Sequence, residues 1–153
     1  MRRDRAGDRI GGDDVALRGI RGAVTVNSNS GPEIVSRTRE LLEAIVSANS
    51  LKPEAISMAI FTVTPDLDAA FPAQATRELA DRGRVGWRHV PAMCATEVAV
   101  PGALPRAVRV LLLAETRRAP RAIRHQYLGE ASCLRPDLAE APSRRKRRRG
   151  AKS

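Results

Sequence analysis

Cysteine, histidine and aromatic side chains are scarce in this chain, and each shortage removes a class of function. Two cysteines, Cys94 and Cys133, are too few for a disulfide framework. With only His89 and His125 beside them, no Cys/His cluster stands at metal-ligand spacing, so no metal site is expected. One tryptophan, one tyrosine and two phenylalanines leave little surface on which nucleic-acid bases could stack. No apolar run is longer than Val110 to Ala114, far short of the roughly 18 residues that a membrane-spanning helix requires. The opening Met1-Arg-Arg-Asp-Arg-Ala-Gly-Asp8 has no apolar stretch like that of a secretory signal, so a cytoplasmic protein without membrane contact is expected.

Acidic residues are missing from the last eleven positions, Ser143 to Ser153, which hold seven lysines and arginines. The net charge of +10 is therefore mostly a property of this end, and the remainder is only mildly basic. Such a run buries no apolar area to offset its ordering entropy, so residues 139–153 are expected to be a disordered basic tail. Two uses for it stay open: a solvated end that aids solubility, or contact with a polyanion. Residues 1–16, with four Arg, four Asp and several glycines, are expected to be a disordered lead-in. That leaves one domain over 17–138, a length that supports a single core.

What is present reads as alternating elements. Leu17 to Val26 has the β-branched content of a strand, followed by the turn formers Asn27 to Gly31 and a Pro32 suited to a first helical turn. Ile34, Leu41, Leu42, Ile45 and Ala48 share one helical stripe, predicting a helix over Pro32 to Ala48. Ala55 to Thr64 reads as a buried strand, stopped by Thr64-Pro-Asp66. A short helix is expected over Pro72 to Arg82, then a loop, then a short irregular strand over Trp87 to Cys94 that contains Pro91. Ala107 to Glu115 is the clearest strand, and Ile123 to Leu134 offers Ile123, Tyr127, Leu128 and Leu134 for burial. The order predicts an α+β domain, with a mixed β-sheet and helices on one face.

Several arginines stand where a core is wanted. Strand alternation puts Arg109 on the face of Leu111 and Leu113, and a half-buried guanidinium there needs a carboxylate, from the protein or from a ligand. Arg21 lies between Gly19 and Gly22, whose bare backbone would let a ligand approach closely. Arg77 and Arg135, taken alone, are ordinary surface arginines, and Glu97 an ordinary surface acid. Cys94 has no convincing partner for nucleophilic catalysis, since His89 is five residues back in an edge segment; it reads as a buried or ligand-lining thiol. Residue chemistry alone thus reaches a small anionic ligand and no named reaction.

Seven motifs nevertheless stand in a familiar order: Arg18-Gly-Ile-Arg-Gly-Ala-Val-Thr25, Thr64-Pro-Asp-Leu67, Ala70-Phe-Pro-Ala73, Val90-Pro91 with Cys94 and Glu97, Arg106-Ala-Val-Arg-Val110, His125-Gln-Tyr-Leu128 and Leu134-Arg-Pro-Asp-Leu138. Together they resemble the AroH-type chorismate mutases, the monofunctional, Bacillus-like kind, from about Leu17 to Leu138. The resemblance implies a homotrimer built as a pseudo-α/β barrel, with active sites between subunits and chorismate as substrate. It places Arg21, Cys94, Glu97, Arg109, Tyr127 and Leu134 in the substrate pocket. Phe71, Ala73 and Arg77 would come from the adjacent subunit, and Arg135 would begin the segment that helps cover the site. Three departures stand out. Gln74 replaces a basic residue, with an expected effect on KM; Met93 replaces a small polar one; and Ala80 to Gly86 is longer than the family's link to the tryptophan.

Under this resemblance the reaction is the one-step rearrangement of chorismate to prephenate, needing no cofactor. Arginines would hold the dianion in its compact conformer, and Arg109 would meet the negative charge that develops on the ether oxygen. Glu97 would accept from the ring hydroxyl, while Arg21 and Tyr127 would grip a carboxylate. Two other classes stay open: a catalytically silent trimer that binds a small anion, and a nucleic-acid-associated protein acting through Arg144 to Arg149. Apart from nonspecific contact by that tail, no nucleic-acid partner is expected.

Overall fold

A computed structural model of the chain describes residues 14–137. Most of the expected lead-in and all of the expected tail lie outside the described residues. Among the described residues no helix is long and apolar enough to cross a membrane.

Five strands form one mixed sheet: β1 (Ala16–Thr25), β2 (Ile56–Val63), β3 (Ala92–Thr96), β4 (Ala107–Thr116) and β5 (Gln126–Leu128), in the order β3-β2-β4-β1-β5. β1 and β2 pair antiparallel with the central β4, while the edge strands β3 and β5 run parallel to their neighbours. Two helices, α1 (Gly31–Asn49) and α2 (Gln74–Asp81), complete the α+β arrangement expected from the sequence.

The two-residue period of a strand sorts the side chains. On β4, Val108, Val110, Leu112 and Ala114 are buried, as are Ile20 and Val24 of β1 and Ala59 and Phe61 of β2. Against them α1 lays Ile34, Val35, Leu41, Leu42, Ile45 and Val46, and α2 adds Ala75 and Leu79. Each fully buried Leu, Ile or Phe contributes about 1.5–3 kcal/mol, so this side is the core. The alternate residues, including Leu17, Arg21, Ile60, Thr62, Arg109, Leu111 and Leu113, lie on the open side of the sheet, where Leu17 is 53% and Leu111 38% exposed.

The stripe of α1 is wider and more polar than its apolar spacing suggests. Thr38 and Asn49 are buried in it because each bonds inside the fold. Thr38 donates to Ile34 O at 2.7 Å; the Asn49 amide donates to Ile45 O and Arg124 O and accepts from Arg124 N. Ala48 is only half-buried.

Two elements differ from expectation. Trp87 does not open a strand; Val85–His89 is a 3-10 turn that buries Trp87, and β3 begins after Pro91, whose carbonyl accepts Ala59 N at 2.9 Å. Proline cannot donate to a ladder, so it stands just outside the strand. In Ile123–Leu134 only a three-residue strand forms before a 3-10 turn over Gly129–Leu134. Ile123 is buried there, but Tyr127, Leu128 and Leu134 are half-buried.

Candidate active site

The charge question posed by Arg109 is answered by a protein carboxylate. Arg109 Nη1 donates to Glu97 Oε2 at 2.5 Å, with Arg109 38% and Glu97 11% exposed at the side chain. Glu97 follows the end of β3 and is anchored by its backbone N–H on Val63 O at 2.9 Å. Its second oxygen accepts from the Thr62 hydroxyl at 2.7 Å. Thr62 is the register partner of Arg109 across β2 and β4, so side chains from these two strands and from the residue just after β3 meet in one hydrogen-bonded group.

Thr62 and Arg109 border a cavity of about 550 Å³ lined also by Arg21, Ile60, Leu111, Tyr127, Leu134 and Arg135, with backbone from Gly22. Five residues expected at a substrate pocket thus meet in one place, with Glu97 behind Arg109. Tyr127 arrives because β5 pairs with β1 at Ala23, two residues from Arg21. Arg135 holds Asp137 in a two-pronged pair at 2.9 and 2.7 Å. Each raises the other's preference for charge: the Asp137 carboxylate pushes the Arg135 pKa up, with Tyr127 adding to it, and Arg135 pulls the Asp137 pKa down. Among the described residues the Arg21 side chain has no hydrogen-bond partner. Its backbone N–H donates to His125 Nδ1 at 3.0 Å. Burial, then the nearby Arg21 and Arg135 charges, lower the pKa of His125.

The remaining expected residues lie elsewhere. Phe71, Ala73, Gln74, Arg77 and Cys94 line a separate cavity of about 630 Å³ between α2, the 3-10 turn after it and β3. No residue is common to the two linings. Cys94, grouped by resemblance with Arg21 and Arg109, faces the Phe71 group within one chain, while Glu97, three residues on, bonds Arg109 of the other cavity without lining it. Phe71 is 68% and Met93 65% exposed, and Met93 lines neither cavity.

The bare backbone of Gly22 also has a different use from the one expected. A Cβ there would stand 2.7 Å from Ile45 Cδ1 and 3.0 Å from Leu41 Cδ1, so the missing side chain lets α1 close on the sheet. Gly19 does face the open side, where a Cβ would meet only Leu111 Cδ1 at 3.6 Å.

Sequence reasoning missed Thr62 and His125. A threonine in a strand carries no signal, because β-branching alone explains it. His125 stood inside a quoted motif, but its contact with Arg21 comes from β1 and β5 meeting, which no local pattern reveals.

Residues 17–138 match the family described as chorismate mutase type I. The chain is 43% identical over 123 residues to chorismate mutase AroH of Bacillus subtilis (strain 168), covering 80% of this chain and 93% of that protein. It is 47% identical over 126 residues to chorismate mutase AroH of Thermus thermophilus, covering 82% and 98%. Among solved structures, a chorismate mutase from Clostridium thermocellum, Cth-682, superposes with a TM-score of 0.71 at 42% identity, over 76% of this chain and 99% of that one.

Proposed function

Because the chain belongs to the chorismate mutase type I family, we propose that it rearranges chorismate to prephenate in clefts shared between copies of itself, with Arg109 as the group that meets the transition state. As an isomerase of one substrate, it has to supply shape and charge to a dianion. The observation that carries this reading is the cavity on the open sheet face, where Arg21, Arg109 and Arg135 surround an apolar floor of Ile60 and Leu111. An always-charged, planar guanidinium suits a carboxylate. Arg21 and Tyr127 would hold the side-chain carboxylate, and Leu134 and Arg135 would border it. Glu97 would accept from the ring hydroxyl. Arg109 would face the ether oxygen as its bond breaks, stabilising the transition state more than the ground state.

The second half of the reading is a homotrimer, and two features of the single chain support it. One chain separates the Arg21–Arg109 cavity from the Phe71–Arg77 cavity, and an edge strand with Met93 and a neighbouring Phe71 stands open to solvent. Placing Phe71, Ala73, Gln74, Arg77, Met93 and Cys94 of one copy against the arginine cavity of another would close both. With Gln74 where a cation is expected, the grip on the carboxylates rests on the arginines, and KM carries the difference. The free thiols Cys94 and Cys133 support a reducing, cytoplasmic setting.

The test is direct: purified protein is mixed with chorismate, and loss of its absorbance and appearance of prephenate are followed together. Binding of chorismate without turnover would favour the silent anion-binding alternative.

A further inference from the structure

We propose that Thr62 is a positioning residue for this reaction: its hydroxyl holds Glu97 to a single contact with Arg109, which leaves the rest of the guanidinium free for substrate. The inference rests on the roles proposed above for Glu97 and Arg109, and it explains a geometry that those roles leave unaccounted for.

A carboxylate beside an arginine tends to close on it in a fork, with two parallel N–H···O bonds. Arg135 and Asp137 do so on the same side of the molecule. Arg109 and Glu97 do not. Their contact is one bond, Nη1 to Oε2, because Oε1 is already taken by the Thr62 hydroxyl at 2.7 Å. Thr62 sits on β2 directly opposite Arg109 on β4, and both line the same cavity. The side chain of Thr62 is branched at Cβ and therefore stiff at χ1, so its oxygen is a fixed point. The backbone of Glu97 is fixed as well, through its N–H on Val63 O. The carboxylate is thereby held at both ends of its plane and cannot turn its second oxygen onto the guanidinium.

The consequence is a count of donors. A guanidinium has five N–H groups, and a fork would consume two of them and draw the planar group toward Glu97. With the single contact, four remain. Thr62 touches neither reacting atom; it acts through Glu97 on the aim of Arg109.

Thr62→Val keeps the branched shape and removes the hydroxyl. Its kcat is expected to fall about tenfold, the scale of one lost charge-assisted hydrogen bond, with KM changed by less than about threefold. Thr62→Ser, which restores the hydroxyl, should recover kcat to within about twofold. In a Glu97→Ala background, the Thr62→Val substitution should cost nothing further, since the carboxylate it restrains is gone. Should Thr62→Val fail to fold, Thr62→Ala removes the same hydroxyl and carries the same expectations. The proposal is overturned if kcat of the hydroxyl-less variant is unchanged, if Thr62→Ser is as impaired as Thr62→Val, or if the losses of Thr62→Val and Glu97→Ala simply multiply. An unimpaired Arg109→Gln would instead overturn the role of Arg109 itself, whatever Thr62 does.

Discussion

Arg109 owes its position to strand alternation and its permanent charge to guanidinium chemistry, and both make it the sharpest point of test. Replacing it with glutamine or methionine should lower kcat by at least about 10²–10³, the scale of one preorganised oxyanion donor, while folding survives. Arg109→Lys keeps the charge but loses the planar fork, so it too should be strongly impaired. A rise in KM alone, with kcat intact, would assign Arg109 to uniform binding. Its face was legible in the sequence because the two-residue period of a strand groups Arg109 with Leu111 and Leu113. Its partner was not, since Glu97 is twelve residues away and only the meeting of β2, β3 and β4 brings the two together. His125 makes a separate test, in stability. Its folded pKa lies below the ordinary histidine value, so at a pH between the two the unfolded chain binds more protons and stability rises with pH. The contribution is full above about 6.5, the unfolded histidine value, and is lost as pH falls through the folded one. Protonation would also remove the acceptor for the Arg21 N–H. Melting temperatures measured between pH 7.5 and 5 should therefore fall more steeply for the wild type than for His125→Gln. Glu33, Asp66 and Asp137 also have lowered pKa values, and their effects come in the separate, more acidic carboxylate range. Ser28 and backbone hydrogen bonds lower the first; at Asp66 burial alone would raise the value, but bonds from Thr64 and the Arg106 N–H overcome it; Arg135 lowers the third.

Among the elements, the packing of α1 against β1 turns on Gly22. Gly22→Ala would press a methyl group against Ile45 and Leu41 and stand 3.2 Å from the Gln126 carbonyl, which β5 holds in place. Overpacking of this kind costs about 1–3 kcal/mol, to be read as a shift of the urea midpoint. Gly19→Ala, meeting only Leu111 at an ordinary 3.6 Å, should be nearly neutral in the same assay. The pair separates two explanations of the same Gly-Ile-Arg-Gly run that are indistinguishable in sequence. Elements marked by a helical stripe, as α1 is, or by a long β-branched or apolar run, as β1, β2 and β4 are, were legible to within two residues. β3 was not, because Trp87 and Val90 are buried in a turn and a connection, and burial alone does not tell a turn from a strand. β5 is too short to show a period at all. The loop bearing Phe71 is also held by something the sequence leaves silent: Asn29 Oδ1 accepts from Asp68 N and Ala69 N at 3.1 Å, and its amide donates to Asp68.

At the scale of the whole molecule, the proposed sharing of the two cavities between copies would make assembly a condition of activity. Light scattering should give a trimer, and an active monomer would exclude the shared cleft. Complementation tests it more strictly. Arg109→Gln and Arg77→Ala each damage one cavity, so each homo-oligomer should lose activity. If every site takes the Arg109 side from one chain and the Arg77 side from another, mixed trimers formed by co-refolding the two variants contain some sites with both arginines intact. Activity should return on mixing, and its failure to return would place Arg77 and Arg109 in the same chain's site.

The sheet order has a further consequence, for the time at which this protein becomes itself. β1, the first strand made, lies between β4 and β5, the last two, and Ala16 pairs with Thr116. Pairings this distant in sequence are slow to form, because the intervening loop must close before any bond rewards it. On the ribosome, Val24 and Ile20 have no strand to lie against until their partners Val108 and Leu112 have emerged, and Tyr127 follows later still. Arg21 is synthesised among the first residues of the domain and waits for nearly the whole of it. The insertion of β1 between its two late neighbours also brings Arg21, Arg109 and Tyr127 to one cavity, so that cavity takes shape only after the last strand has been made.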